Sequence, residues 1–497
     1  MLLDAREFLP DQTLQTDLCI VGAGAAGITL AREFVSRRFS VYLLESGGFE
    51  FDDVTQSLYQ GQSAASNLVK SDYVSGSRLR YFGGSTNHWT GLCRALDDSD
   101  FKKRSWVPYS GWPFPKSHLV PFYRRAASIC QLNGYPDDSG DDQHPTGQRF
   151  LFDGDGSVVN KLFYLSAPTR FGVEYRNQLI DSSRIQVCLH ANVVEIVTNR
   201  SGSNVESLEV QTLAGNRFWV RAKMFVLASG GIENARLLLQ SDRQQSGGLG
   251  NQNDLVGRFF MEHPLVVAGA LCFYGKDGVS WDALMGNSEA TRGILSTSED
   301  AQQRSQLLNF SLEAYPLAPR DTSRFIRSIG RVALQLDKPK SWQERELESA
   351  LLVARGEQSP NPESRVSLIA EKDLLGKRRV LLDWRLSSLD RGSIIRSIEI
   401  VAKRLGQYGW GRAGVRMGLE SSWLDAGGSN HHMGTTRMHT EPRQGVVDAD
   451  CRVHSVSNLY IAGSSVFPIV GFANPTLTLV ALALRLAECL KERLGRP

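Results

Sequence analysis

Cysteine is scarce: seven residues in a chain of 497, odd in number and widely scattered. No pair of them has zinc-ligand spacing, none stands in a CxxCH pattern, and an odd set does not close into a disulfide framework. These absences exclude a disulfide-held secreted scaffold, a structural zinc module and a c-type haem, and they fit a reducing compartment. Cys19 within an apolar strand and Cys489 on an apolar helix read as core residues. Long apolar runs are missing too. The richest, Leu477 to Leu490, is broken by Arg485 and Glu488 and is too short and too charged to span a bilayer. Met1 to Thr16 has no apolar centre, and no arginine pair precedes an apolar stretch, so no secretory signal is expected. No charge of either sign dominates: 56 basic and 53 acidic side chains leave +3, with the signs interspersed. That balance excludes a basic stripe for nucleic acid and a polybasic membrane anchor. His118, His144, His190, His439 and His454 have no metal spacing and read as loop or surface residues. Repeats and low-complexity tracts are absent. The expectation is a cytoplasmic protein without metal, membrane span or nucleic-acid partner.

What is present begins with length, which suggests two or three lobes rather than one core. Asp17 to Val21 reads as a buried strand, followed at once by Gly22-Ala23-Gly24-Ala25-Ala26-Gly27, a helical stretch from Ile28 to Arg37, and a second buried strand from Ser40 to Glu45. This is a complete β-α-β unit of the roughly 30 residues such a unit needs. The context makes the glycine turn a dinucleotide signal. Gly22 makes the tight turn, Gly24 lets the backbone approach a diphosphate, and Gly27 lets the helix pack on the strand. Glu45 would accept from both ribose hydroxyls, which disfavours a 2′-phosphate. The helix start supplies the electrostatic partner for the diphosphate.

Residues 49 to 121 are rich in Gly, Ser, Tyr and Trp and read as a ligand-covering loop region. Strand signals resume at Ile185 to Leu189, Val193 to Val197 and Arg221 to Ser229, the last running through Gly230-Gly231 into a helix from Glu233 to Gln240. Ala228 to Gly231 is either a second close approach to a cofactor or a plain strand-to-helix turn. From Pro264 to Leu386 the pattern changes to short alternating strands, Val266 to Tyr274, Leu307 to Ala314 and Arg379 to Trp384, which predict a mainly antiparallel sheet. The chain then carries a helix of mixed charge, a glycine corner at Gly427-Gly428 and a long final helix.

Four separated segments resemble the glucose–methanol–choline (GMC) oxidoreductases. They are Gly22 to Gly27, Arg80-Tyr81-Phe82-Gly83-Gly84-Ser85-Thr86-Asn87-His88-Trp89, His431-His432-Met433-Gly434-Thr435, and Gly471-Phe472-Ala473-Asn474-Pro475-Thr476. Gly445 to Asp448 and Asn458 to Ser465 add to the likeness, which is nearest to the pyranose oxidase branch and the sugar and polyol dehydrogenases. The resemblance implies an α/β fold: a Rossmann-like FAD-binding domain with a second α+β substrate domain on a mainly antiparallel sheet. It divides the chain into 1–118 and 185–264 (FAD-binding, the first part carrying the flavin-covering loop), 119–184 (a substrate or lid segment), 265–424 (substrate-binding) and 425–497 (the C-terminal part of the FAD domain).

The implied reaction is hydride transfer from a carbinol carbon of a sugar, glycoside or polyol to flavin N5. Oxygen, a quinone or a separate redox protein would take the electrons. His431, first in the H-x-x-G-T pattern, is the implied base, a task that suits a neutral imidazole, and His432 points elsewhere. Asn474 has two readings: it caps the final helix, with Pro475 at the first helical position, or its amide holds the substrate oxygen toward the base. The helix start, through Thr476 N–H, would stabilise charge on the reduced flavin. The implied FAD contacts are Gly22, Gly24, Ala25, Ala26, Gly27, Glu45, Arg80, Gly83, Gly84, Ser85, Asn87, His88, Trp89, Val193, Val194, Ala228, Ser229, Gly230, Gly463, Ser464, Asn474, Pro475 and Thr476, with His88 either covalently bonded to the flavin or stacked unbonded near its dimethylbenzene ring. Glu262-His263-Pro264 reads as a structural edge of the flavin domain, and the turn at Glu357 to Arg365 as a link between strands. Trp89, Trp106 and Trp112 read as packing residues or a sugar platform. A flavin-containing lyase, a non-catalytic flavin-binding protein and an NAD enzyme are the competing classes.

Overall fold

A computed structural model of the chain describes residues 1–64, 71–136, 147, 150–152, 156–273, 281–316, 348–415 and 427–495. Its centre is the unbroken apolar run Leu18 to Val21, which is buried on both faces of a sheet as parallel strands require. In spatial order the sheet runs Leu2–Asp4, Ile185–Leu189, Val41–Leu44, Thr13–Val21, Arg217–Leu227, Val205–Gln211 and Asn192–Thr198. Leu459–Ile461 also pairs in parallel with the end of Arg217–Leu227. The first five strands are parallel and the last two pair antiparallel. The first helix spans Ala25–Arg32, starting and stopping earlier than the sequence predicts. After Arg32 the chain tightens into i→i+3 bonds, Phe34 N–H to Ala31 O and Val35 N–H to Arg32 O, which bring the fully buried Phe34 back onto the core.

The second sheet is antiparallel, in the order Gly411–Val415, Leu265–Phe273, Glu348–Gly356, Phe310–Pro316, Thr291–Thr297, Val158–Leu165 and Leu92–Cys93. A twenty-residue helix, Ser388–Gln407, covers it and opens with a capping box between Ser387 and Asp390. Its Ile394, Ile398, Val401 and Leu405 recur at helical spacing and pack with Phe310, Leu312, Leu352 and Ala354.

Two details differ from the sequence expectation. Arg378–Asp383 does not enter this sheet. It pairs with Arg365–Lys372 and Gln62–Ser63 in a separate three-stranded sheet, packed through Val366, Val380 and Leu382 on Ile232 and Phe260. Leu92–Cys93 and Val158–Leu165 join the second sheet from ahead of residue 265, whereas helix Val120–Ile129 lies on the final helix, with Tyr123 Oη 3.0 Å from Thr478 Oγ1. Alternation marks a strand but does not name its partner. All seven cysteines are free. Among the described residues no helix is long and apolar enough to cross a membrane.

Candidate active site

The parallel strands end at a cleft of about 390 Å³, the position where open α/β sheets bind their ligands. Gly22 has φ +102°, and a Cβ there would sit 2.7 Å from Ala228 O, so the turn also admits the neighbouring strand. A Cβ on Gly27 would lie 1.9 Å from Gly22 O, which fits the helix-packing role. Gly24, Gly230 and Gly463 line the cleft, and a Cβ on any of them meets no protein atom within 4 Å. Gly230 and Gly463 have φ of +86° and +115°. Three backbone segments thus leave open space on one side, at the start of helix Ala25–Arg32, whose cap makes no side-chain hydrogen bond. The nearly buried Glu45 accepts from Ala23 N–H (2.8 Å) and Gly47 N–H (3.1 Å), and its carboxylate keeps lone pairs for further donors. A flat, anionic, hydroxyl-bearing dinucleotide fits this combination.

Of the expected contacts, Gly22, Gly24, Ala25, Ala26, Glu45, Arg80, Gly84, Ser85, His88, Trp89, Val193, Ala228, Ser229, Gly230, Gly463, Ser464, Asn474, Pro475 and Thr476 line the cleft. Gly27, Gly83, Asn87 and Val194 do not. Gly83 N–H donates to Ala23 O at 2.8 Å, and Asn87 Nδ2 donates to Phe82 O at 2.9 Å. Gly83 therefore ties the covering loop to the glycine turn, and the Asn87 side chain closes the covering loop on itself. Val194 is turned into the core while its neighbour Val193 faces the cleft, as strand alternation requires. His88 is exposed to the cleft, and burial, then Arg170, lowers its pKa.

Sequence reasoning missed an ionic cluster on the wall. Arg78, Arg80 and Arg236 converge on Glu233 at 2.9, 3.2 and 3.3 Å, and Arg78 stacks 3.8 Å from the Tyr59 ring centre. Burial alone would raise the Glu233 carboxyl, but Arg236, Arg78 and Arg80 outweigh it and hold the pKa near 2. The i,i+3 pair Glu233–Arg236 was visible in the helix pattern. The arginines 153 and 155 residues away were not.

At the far end lies the segment carrying His431. Met433 exchanges backbone bonds with Met261 (2.9 and 3.0 Å), Ser464 Oγ donates to His432 O (2.7 Å), and Thr435 Oγ1 donates to Gly231 O. These contacts clamp it between the Phe259–His263 segment and helix Gly230–Gln240. His432 is engaged elsewhere, its Nε2 3.1 Å from Ser77 Oγ and its ring edge-on to Tyr73. His431 Nδ1 lies 2.9 Å from Nδ1 of His263, while its Nε2 has no protein partner among the described residues. Burial, and after it His263, Arg355 and His432, hold the His431 pKa well below 6.5, so the ring is neutral at neutral pH.

The helix assignment for Asn474 needs correction. The final helix is Thr476–Gly495, its first bond runs from Leu479 N–H to Pro475 O (2.9 Å), and Asn474 precedes that turn without capping it. Its Nδ2 donates instead to Leu92 O (3.2 Å) on the edge strand of the second sheet, and its Oδ1 is buried without a partner. A buried acceptor left unpaired costs roughly 1–3 kcal/mol, so this amide is set for a ligand donor. Glu262 and His263 are also more than an edge. Glu262 accepts from His431 N–H (2.9 Å), His263 N–H (2.7 Å) and Tyr73 Oη, and burial, partly offset by these bonds, raises its pKa to about 7. The turn at Glu357 serves it: Gln358 Oε1 accepts from Glu262 N–H (2.9 Å), and Glu357 pairs with Arg104. Trp106 donates to Leu307 O and Trp112 packs on Phe101 and Phe467, whereas Trp89 lines the cleft. His439 and His454 hold their own loops, and His144 lies outside the described residues. No cluster of three or more metal-ligating side chains occurs among the described residues.

Residues 360–483 match the family model for GMC oxidoreductase. The chain is 25% identical to the fructose dehydrogenase large subunit of Gluconobacter japonicus, over 97% of this chain and 99% of that one. It is 26% identical to the 6'''-hydroxyparomomycin C oxidase of Streptomyces lividus, over 96% and 92%. The fold is similar to that of a formate oxidase, with a TM-score of 0.59, 16% identity, and coverage of 98% of this chain and 99% of the other. Residues 360–483 thus carry the GMC oxidoreductase domain, and the chain is an FAD-dependent enzyme acting on CH–OH groups.

Proposed function

We propose that this protein oxidises a carbinol carbon of a sugar, glycoside or polyol, with His431 as the base and Asn474 holding the alcohol. The observation that carries this reading is a neutral imidazole with a free Nε2 on the same cleft as a buried carboxamide oxygen without a donor. Bound FAD supplies the acceptor for the hydride. Asn474 Oδ1 accepts from a substrate hydroxyl, Nδ2 stays fixed on Leu92 O, and the hydroxyl being oxidised gives its proton to His431 Nε2. Gly22, Gly24, Gly230 and Gly463 would give the cofactor backbone to lie against, Glu45 would accept from its ribose, and the start of the Thr476–Gly495 helix would stabilise negative charge on the reduced flavin. The relatives named for fructose and hydroxyparomomycin support a polyhydroxylated substrate.

An anaerobic screen of sugars, glycosides, polyols and simple alcohols tests the reading. Bleaching of the flavin by polyhydroxylated compounds is expected, and a flavin that none of them reduces would sink it. Hydrogen peroxide formed mole for mole with product identifies oxygen as the acceptor, and its absence assigns the electrons to a quinone or a separate redox protein.

The state of His431 sets the pH dependence. A base works deprotonated, so kcat/KM should rise with pH through the depressed His431 pKa, below 6.5, and any step near 7 should follow Glu262, whose carboxyl accepts from His431 N–H. A limb at or above 6.5 that persists in Glu262→Gln contradicts the assignment. His88 faces the cleft unprotonated at neutral pH, the form able to bond the flavin. Acid-precipitated protein should therefore retain its yellow colour in the pellet, and a colourless pellet excludes the bond.

A further inference from the structure

Two histidines so close, one fully buried and the other facing the cleft, do not have independent protons. His263 Nδ1 and His431 Nδ1 are 2.9 Å apart, with the rings at 84°. Burial and Arg355 lower the His263 pKa to about 3, and His431 is also neutral, so each ring carries one hydrogen and exactly one lies between them. The other nitrogen of His263, Nε2, is buried without a hydrogen-bond partner, and the backbone carbonyls of Val470 and Gly471 beside the ring favour a hydrogen on it. A carbonyl only accepts. The His263 hydrogen therefore sits on Nε2, its Nδ1 is bare, and the shared hydrogen belongs to His431 Nδ1. His431 Nε2 is then left with a lone pair. In the opposite arrangement His431 would carry Nε2–H and could take no proton from a substrate.

We propose that His263 is a positioning residue that fixes His431 in its Nδ1–H tautomer and steadies the imidazolium formed when Nε2 takes the substrate proton. This rests on the reading of His431 as the base. Above about pH 3 His263 is neutral and exerts no charge repulsion; when the proton arrives at His431 the Nδ1–H···Nδ1 bond becomes charge-assisted and stronger, which offsets part of the lowering that burial imposes on His431. A carboxylate in its place would hold His431 protonated at rest; a neutral imidazole does not. The other groups facing the pair agree with this arrangement. Glu262 is committed to the backbone N–H groups of both histidines and to Tyr73, Arg355 is paired with Glu313 on the second sheet (2.9 Å), and His432 is bonded to Ser77. None offers His431 Nδ1 another acceptor.

Nitrogen-15 NMR of the histidine-labelled holoenzyme, with ring signals assigned by His263→Asn and His431→Ala, tests this without turnover. Nδ1–H with bare Nε2 at His431, and Nε2–H with bare Nδ1 at His263, are expected. An Nε2–H at His431 in the unsubstituted enzyme overturns the proposal. In His263→Phe, flavin content should hold, anaerobic flavin reduction should slow on the order of 100-fold, and the acid limb of kcat/KM should move to lower pH because the imidazolium has lost its acceptor. In His263→Asn, whose carboxamide oxygen stands near the place of Nδ1, most of the rate should return. A slower His263→Phe with an unmoved limb and no rescue by Asn would mean packing alone. If His431→Ala reduces flavin as fast as the parent, the base assignment itself has failed; if His431→Ala is slow and the tautomer is wrong, only the role of His263 has.

Discussion

Replacing His431 with alanine is expected to slow anaerobic flavin reduction by an alcohol about 10²- to 10⁴-fold, the span a positioned general base contributes, while the protein stays folded and yellow. The segment around it should survive because its anchors are elsewhere: the Met433–Met261 backbone pair, Ser464 on His432 O and Thr435 on Gly231 O. The imidazole faces the cleft and takes only one protein hydrogen bond, to His263. Removing it also leaves the buried His263 without a partner, so a modest loss of thermal stability should accompany the rate loss. Stopped-flow reduction at saturating substrate checks the first effect and flavin absorbance checks retention. A reduction rate within tenfold of the parent would remove His431 from the role of base.

Substituting Gly24 with valine should give a folded but colourless protein, whereas the same change at Gly27 should fail to fold. The two glycines lie three residues apart in one turn and their surroundings are opposite. Gly24 has φ −83°, which any residue adopts, and a Cβ there meets no protein atom within 4 Å; only a ligand would be displaced. A Cβ on Gly27 meets Gly22 O at 1.9 Å, backbone that cannot move without parting helix from strand. Forcing methyl groups into a close-packed contact costs about 1–3 kcal/mol, or about 5- to 150-fold in FAD affinity at Gly24. Circular dichroism and the visible spectrum separate the outcomes. A yellow Gly24→Val protein would place the diphosphate elsewhere.

Much of the cofactor end was legible from residue order because its determinants are local. Strand, glycine turn, helix and acid-terminated strand fall within Asp17 to Glu45, and the structure keeps them together at the cleft. What order alone leaves open there is also local: strand alternation turns the Val194 side chain into the core beside Val193 on the cleft, and the Asn87 amide closes its own turn on Phe82 O. At the catalytic end the sequence marked His431 and Asn474 through family likeness, but their settings were not legible. Asn474 looked like a helix cap because Asn-Pro-Thr is a favoured start; Leu92, 382 residues earlier, captures its amide instead. The strand Arg378–Asp383 was seen as a strand and assigned to the wrong sheet, since period-two alternation carries no information about neighbours.

The chain's order of residues by itself determined a dinucleotide unit, a second antiparallel lobe, and the presence of an imidazole and a carboxamide in motifs of known spacing. These are properties of short stretches, where backbone geometry and side-chain period act over a few residues. Tertiary structure alone decided which nitrogen of His431 is free, that Arg78 and Arg80 face Glu233, and that His263 stands against His431. Each depends on groups more than 150 residues apart, brought together by burial of two sheets and not by any local preference.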